Sequence, residues 1–251
     1  MGILTAEFVY GAADDAKPQG FAQAFVLVPA TTLPCGTTVT AFSVSPWLAA
    51  RGSGGRVLLS ETAPPWVNID YHAARRACLS SGLSLLTELQ ALAIAHNLAS
   101  QGINWSGGAV GAGNLFQGLH RGGFGAVQPP CVTSPDPRER RWHELSNGQR
   151  IHDFVGNAFS WVFDDVQGNC DGIVTHAFAP DSPTVTGAPG APLQQGLGWW
   201  PKVGNTWYGR ALARGSSGSS REAAGIFTVI DERPRAQRPY VGFRCALPGS
   251  T

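Results

Sequence analysis

Two polar stretches near the end of the sequence hold the side chains best suited to recognising another molecule: Gly215 to Ala223 (GSSGSSREA) and Ile230 to Pro239 (IDERPRAQRP). Arginine, with Tyr240 just beyond, offers large contact area carrying a polar handle, while serine and glycine offer adaptable hydrogen bonding. Short apolar runs bound the stretches: Ala211 to Ala213 before the first, Ile226 to Val229 between them, and Tyr240 to Phe243 after the second. A sheet displaying two adjacent loops is written this way. The same pattern also fits a plain pair of polar loops on a globular protein, and Ile230 is either an apolar contact or the end of a strand.

Catalytic alternatives find little support. There is no Gly-x-Ser-x-Gly elbow and no phosphate loop, and the six histidines show neither HxxxH nor HExxH spacing. His96 falls on the apolar side of a helical pattern and reads as a satisfied buried histidine. Five cysteines (Cys35, Cys78, Cys131, Cys170, Cys245) without a close CxxC pair argue against a structural zinc site. Trp199, Trp200, Trp207 and Tyr208 either rim the loops or, as such clusters more often do, pack against the core.

Composition bounds the rest. With 251 residues, 43% hydrophobic and 14% charged, the chain can bury a core and is not a disordered protein. A net charge of +1 argues against general nucleic-acid binding. No run approaches a membrane span and the first twenty residues do not read as a signal peptide, so a soluble protein without membrane insertion is expected. The 32 glycines and 18 prolines call for short elements joined by many loops.

The elements that must position the loops follow from local patterns. Strands are expected at Phe8 to Tyr10, within Phe21 to Ala30, at Thr37 to Ser45 and at Arg56 to Leu59. Asp70 caps a helix carrying Tyr71, Ala74, Ala77 and Cys78 on one face and closing at Gly82. Thr87 and Gln90 form a capping box for a second helix, with Leu89, Leu92, Ala93 and His96 inward and Gly102 at its end. Asn147-Gly148 predicts a hairpin between Trp142 to Leu145 and Arg150 to Val155. Phe159, Trp161 and Phe163 alternate along a strand with one aromatic face, and Asp181 to Leu193 reads as a long connection.

Taken in order, these segments resemble a known family. FVLVPA at Phe25 to Ala30, PWVNIDYHAARRAC at Pro65 to Cys78, LSLLTELQALAIA at Leu83 to Ala95 and HDFVGNAFSWVFD at His152 to Asp164 resemble formylglycine-generating-enzyme-like (sulfatase-modifying-factor) domains. The end, ARGSSGSSREAAGIF followed by RPYVGFRCAL, is similar to the hypervariable C-terminus of variable proteins of diversity-generating retroelements, which share the C-type-lectin fold. The resemblance implies an α+β fold of small twisted antiparallel sheets flanked by two helices. It implies one domain over 1–251, with a strand-rich segment at 1–64 and a variable segment at 198–248.

It also implies a non-enzymatic binding protein, of phage, prophage or host origin, whose loop residues choose a variable protein or surface-glycan ligand. Matched residue by residue, the ligand-binding positions are Ser217, Ser219, Ser220, Arg221 and Ala223, then Ile230, Asp231, Arg235, Ala236, Arg238 and Tyr240. In the family these positions descend from asparagine codons altered at adenines, which leaves out Glu222, Glu232 and Gln237. The alternative is a formylglycine-generating-type enzyme or a degenerate relative, but serines stand in Arg214 to Ala224 where those enzymes hold a cysteine pair. No catalytic cofactor is implied. A structural calcium near Gly156, Asn157 and Trp161 is part of the family pattern, yet Ser160 replaces its glutamate, and Asp164, Asp165, Asn169 and Asp171 read as a solvated acidic turn. Cys78 and Cys245 occupy the places of a lectin disulfide; a bridge there contributes about 4–5 kcal/mol in the chain-entropy model.

Overall fold

The computed structural model of the chain describes residues 25–248; the strand expected at Phe8 to Tyr10 lies outside them. Two four-stranded sheets carry the architecture. The first runs β1–β2–β8–β3, from Val26–Val28 (β1), Phe42–Val44 (β2), Ser84–Leu85 (β3) and Cys245–Ala246 (β8). The second runs β6–β5–β4–β7, from Phe159–Val162 (β4), Ala211–Arg214 (β5), Val229–Glu232 (β6) and Val241–Phe243 (β7). Three two-stranded ribbons complete it, including Trp142–Glu144 with Arg150–His152 around the expected Asn147-Gly148 turn. The mixed sheets and few helices make an α+β, loop-rich molecule, but β4 and β7 pair in parallel, so the sheets are not purely antiparallel.

Both long helices start where local chemistry puts them. In α1 (Tyr71–Ser80) the Asp70 carboxylate accepts from the Ala73 amide, and Gly82 takes a φ of 70° just past the C-cap. In α2 (Glu88–Ala99) Thr87 and Gln90 satisfy each other's backbone amides as a capping box. It ends at Ala99, before Gly102, which opens a short 3₁₀ turn instead. Buried residues lie on every side of α2, from Ala91 to Ala95 and from Asn97 to Ala99, because it runs through the core. A short helix α3 (Pro183–Thr186) interrupts the expected connection at 181–193.

The second sheet lies between two apolar clusters. Phe159, Trp161, Ala211, Ala213 and Val241 face the α1 cluster, while Val162, Leu212 and Val229 face the α2 cluster. The aromatic face of β4 is therefore real, and its opposite face is buried as well. Trp161 is wholly buried and donates its indole N–H to the Ile69 carbonyl at 3.0 Å. Truncating it to alanine removes about 3–5 kcal/mol.

Two strand expectations change. Thr37 to Ser45 breaks into Thr38–Val39 and Phe42–Val44, which pair with different partners. The central strand of the C-terminal segment is Val229–Glu232, so Ile230, Asp231 and Glu232 belong to strand and not to loop. Asp231 lies opposite Leu212 and pairs with Arg210 at 3.4 Å, and Glu232 pairs with Arg238 at 2.9 Å. Cys78 on α1 and Cys245 on β8 are buried free thiols with sulfurs 3.1 Å apart.

Candidate ligand-binding site

Strands β5, β6 and β7 deliver two loops. Loop 1 (215–224) leaves β5 and ends in a 3₁₀ turn at Arg221–Ala223; loop 2 (233–240) joins β6 to β7.

Loop 1 is anchored at its root. Arg214 forms a wholly buried ion pair with Glu88 at the start of α2 and donates to the Phe227 carbonyl at 3.1 Å. The Ser216 hydroxyl, fully buried, accepts from the Gly156 amide at 2.7 Å. Farther out, the Gly218 amide donates to the Asn157 carbonyl (3.1 Å), the Gly122 amide to the Gly218 carbonyl (2.7 Å), and the Arg221 amide to the His120 carbonyl (2.9 Å). Ser217 and Ser220 close the loop on itself: the Ser217 amide donates to the Ser220 hydroxyl at 2.9 Å, and the hydroxyls lie 3.1 Å apart.

Loop 2 is held by carbonyls. Pro234 accepts from the Tyr71 amide (3.0 Å), Arg238 from the Asn68 amide (2.9 Å), and Tyr240 from the Phe159 amide (2.9 Å). These bonds tie it to the start of α1 and to β4. Ser219, Arg221, Ala223, Arg235, Arg238 and Tyr240 are all exposed.

The eleven expected positions thus divide. Ser217, Ser219 and Tyr240 line one cleft of about 350 Å³ that touches both loops. Arg221 lines a second hollow with His120, Arg121 and Glu222, and Arg235 a third with Asp70, His72 and Arg76. Ala223 is exposed beside Arg221, and Ala236 is half-buried in a turn where its amide donates to the Arg233 carbonyl. Ile230 packs on the α1 cluster, and Asp231 and Arg238 are engaged by Arg210 and Glu232.

The far wall of the cleft escaped the sequence reading. It comprises Phe124 to Val127 with Val67 and Asn68. Asn157 fixes that wall: its side chain accepts from the Gln128 amide (2.8 Å) and donates to the Gln128 carbonyl (2.9 Å) and to Asp153 (3.0 Å). Asp153 in turn holds the buried guanidinium of Arg141. The available signal was the Gly-Asn dipeptide, whose residues both take positive φ (87° and 65°).

Beneath loop 1 the charges are buried. Asp164 is fully buried, not solvated; one carboxylate oxygen accepts from Val166 and Gln167 amides, and the other has no partner among the described residues. Burial, then repulsion from Glu88, raises its pKa to about 6. His96, against Phe227, has its pKa lowered to about 4 by burial and by Arg214. Its Nε2 also has no hydrogen-bond partner among the described residues, contrary to the expectation of a satisfied histidine. Among the described residues no three His, Cys, Asp or Glu side chains are grouped so as to hold a metal ion, and oxygens of the acidic turn are engaged within the chain. Asp165 accepts from the Leu89 amide, Asn169 from Asp171 and Ile173 amides, and Asp171 from Arg75. Of the tryptophan cluster, Trp199 stacks on Trp207 with centroids 6.0 Å apart, and Trp200 and Trp207 pack on the core.

No family model and no curated protein matches the chain. Among the solved structures similar to it are the following three. PvdO from Pseudomonas aeruginosa is 15% identical over 88% of this chain and 93% of its own, with a TM-score of 0.46. Treponema denticola variable protein 1 is 13% identical over 89% and 92%, with a TM-score of 0.46. CarF is 10% identical over 90% and 98%, with a TM-score of 0.44.

Proposed function

We propose that the chain is a single C-type-lectin-like domain that binds a partner through loops 1 and 2, as a variable protein of the diversity-generating-retroelement type. Its job is recognition, not catalysis. One observation carries this reading: main-chain atoms pin the outer parts of both loops to the scaffold, while Ser219, Arg221, Ala223, Arg235 and Tyr240 present their side chains to solvent. A loop held by its backbone keeps its shape when its side chains change, so little ordering entropy is lost on binding. Ser217 and Ser220 hold loop 1 together, and Ile230 and Asp231 belong to β6, so these are poorer choosers of a partner than the exposed set. The enzyme alternative lacks a thiol in loop 1, which holds only serines where a cysteine pair would act.

The test is to sequence the 3′ end of the gene and its downstream region from many isolates. Substitutions clustering at 219–223 and 233–240, and tracing to adenines in a nearby near-copy, are expected. An invariant segment with no template copy overturns the proposal.

A further inference from the structure

Three hollows share the two loops, and their chemistry differs in a regular way. The central cleft is walled by Val67, Phe124, Val127 and Tyr240, with the hydroxyls of Ser217 and Ser219 at one side. A second hollow, lined in part by loop 1, sets Arg121 and Arg221 against one carboxylate, Glu222. The hollow of about 460 Å³ beyond loop 2 sets Arg76 and Arg235, with His72, against one carboxylate, Asp70, which is already capping α1.

The carboxylates of β6 do not offset this charge. Asp231 and Glu232 are paired with Arg210 and Arg238. Arg121 is bridged to Asp136 at 3.3 Å. Arg76, Arg221, Arg233 and Arg235 have no carboxylate within ion-pair distance among the described residues. On the loop-1 side Glu222 offsets Arg221, so the excess of guanidinium over carboxylate lies on the loop-2 side, where Arg76 and Arg235 share the single carboxylate of Asp70 and Arg233 stands exposed nearby.

We infer that the ligand is an acidic protein surface that seats one apolar side chain in the central cleft and sets carboxylates against Arg76 and Arg235 on the loop-2 side. The inference rests on the ligand-binding reading and adds the partner's chemistry to it. A desolvated apolar anchor within a polar rim is how protein interfaces concentrate their affinity. The planar fork of arginine matches a carboxylate on two hydrogen bonds at once. A sulfated or uronic-acid glycan would satisfy the arginines but has no apolar side chain for the cleft. Arg76 and His72 lie on α1, outside both loops, so a preference for acidic partners is built into the scaffold and persists when loop residues change.

The experiment pans a random dodecapeptide display library on the immobilised full chain. The affinity of the best-enriched peptide is then measured by fluorescence anisotropy. Enriched sequences are expected to place aspartate or glutamate on one side of an aromatic or branched residue. Binding should weaken about tenfold when Arg76→Ser and Arg235→Ser are combined, and weaken again as salt is raised. Phe124→Ala should weaken it without removing the acidic preference. Thermal melts of each variant separate lost binding from lost fold.

Enriched peptides without excess negative charge, or no enrichment, overturn the inference, as does an affinity unchanged in the double arginine variant. It also falls if a heparin octasaccharide binds the chain and acidic peptides do not. If loop-1 and loop-2 substitutions redirect which peptides are enriched while acidity is irrelevant, the binding reading stands and only the partner's chemistry is wrong.

Discussion

Loop 1 and loop 2 border the same cleft, yet they are supported in different ways. Loop 1 rises from a buried polar root, Arg214 on Glu88 and Ser216 on Gly156, and is closed by its own serines. Loop 2 rises from a strand and is held by three of its carbonyls, with little of its side-chain chemistry engaged below the surface. A loop whose anchors are side chains is limited in what it can become. A loop whose anchors are carbonyls is limited mainly by its length. The two should respond differently to mutation at every depth.

The largest effect is expected from Glu88→Gln, which leaves the buried Arg214 guanidinium without its counter-charge and removes about 3–5 kcal/mol. Urea unfolding measures the loss. Amide exchange should show loop 1 loosening before loop 2, and equal loosening of both would break the contrast. Next, Asp164→Asn should stabilise the protein at pH 7 by about 2 kcal/mol. The sign follows from its raised pKa: Asp164 binds its proton more tightly in the folded state, so its contribution falls as pH rises through about 6. His96 and His143, both lowered to about 4 chiefly by burial, act oppositely and cost stability as pH falls from 6.5 toward 4. The variant should therefore lose stability on acidification more steeply than the parent, as urea midpoints from pH 4 to 7 would record.

Ser216→Ala strands the buried Gly156 amide and should cost about 1–3 kcal/mol, again loosening loop 1 alone. At Arg221, where φ is 50°, valine should cost about 1–2 kcal/mol and asparagine almost nothing. Thermal melts of the pair would show the gap, and two equal melts would mean the turn relaxes. The smallest effect belongs to Arg235→Ala and Tyr240→Ala, each within about 0.5 kcal/mol of the parent. A larger loss at either would mean that loop 2 is also held by side chains.

What the sequence made legible was what depends on neighbours along the chain. The Asp70 cap, the Thr87–Gln90 box and the Asn147-Gly148 turn are short-range chemistry, and each is present. Val229–Glu232 was hidden because Asp-Glu-Arg-Pro looks like solvent-exposed loop. Pairing with β5, and the cations Arg210 and Arg238, make it strand, and both are contacts supplied by other parts of the chain. The same reason concealed the cleft wall at Phe124 to Val127, which lies in a glycine-rich run without periodicity and is placed by Asn157. Among the candidate site residues, the sequence could nominate positions but could not separate Ser217 and Ser220, which brace a turn, from Ser219, which faces outward.

The left-handed backbone at Arg221 also acts as a censor on inheritance. Asparagine, the residue from which the proposed diversification starts, is among the few side chains at ease there, so the unaltered codon already suits the turn. Isoleucine, valine and threonine, all within reach of that codon, would be written into genes yet thinned from the folded population. Under the proposed diversification, the vocabulary at this one position is narrower than its genetics, and a census of natural variants should show a gap whose edges are drawn by a single torsion angle.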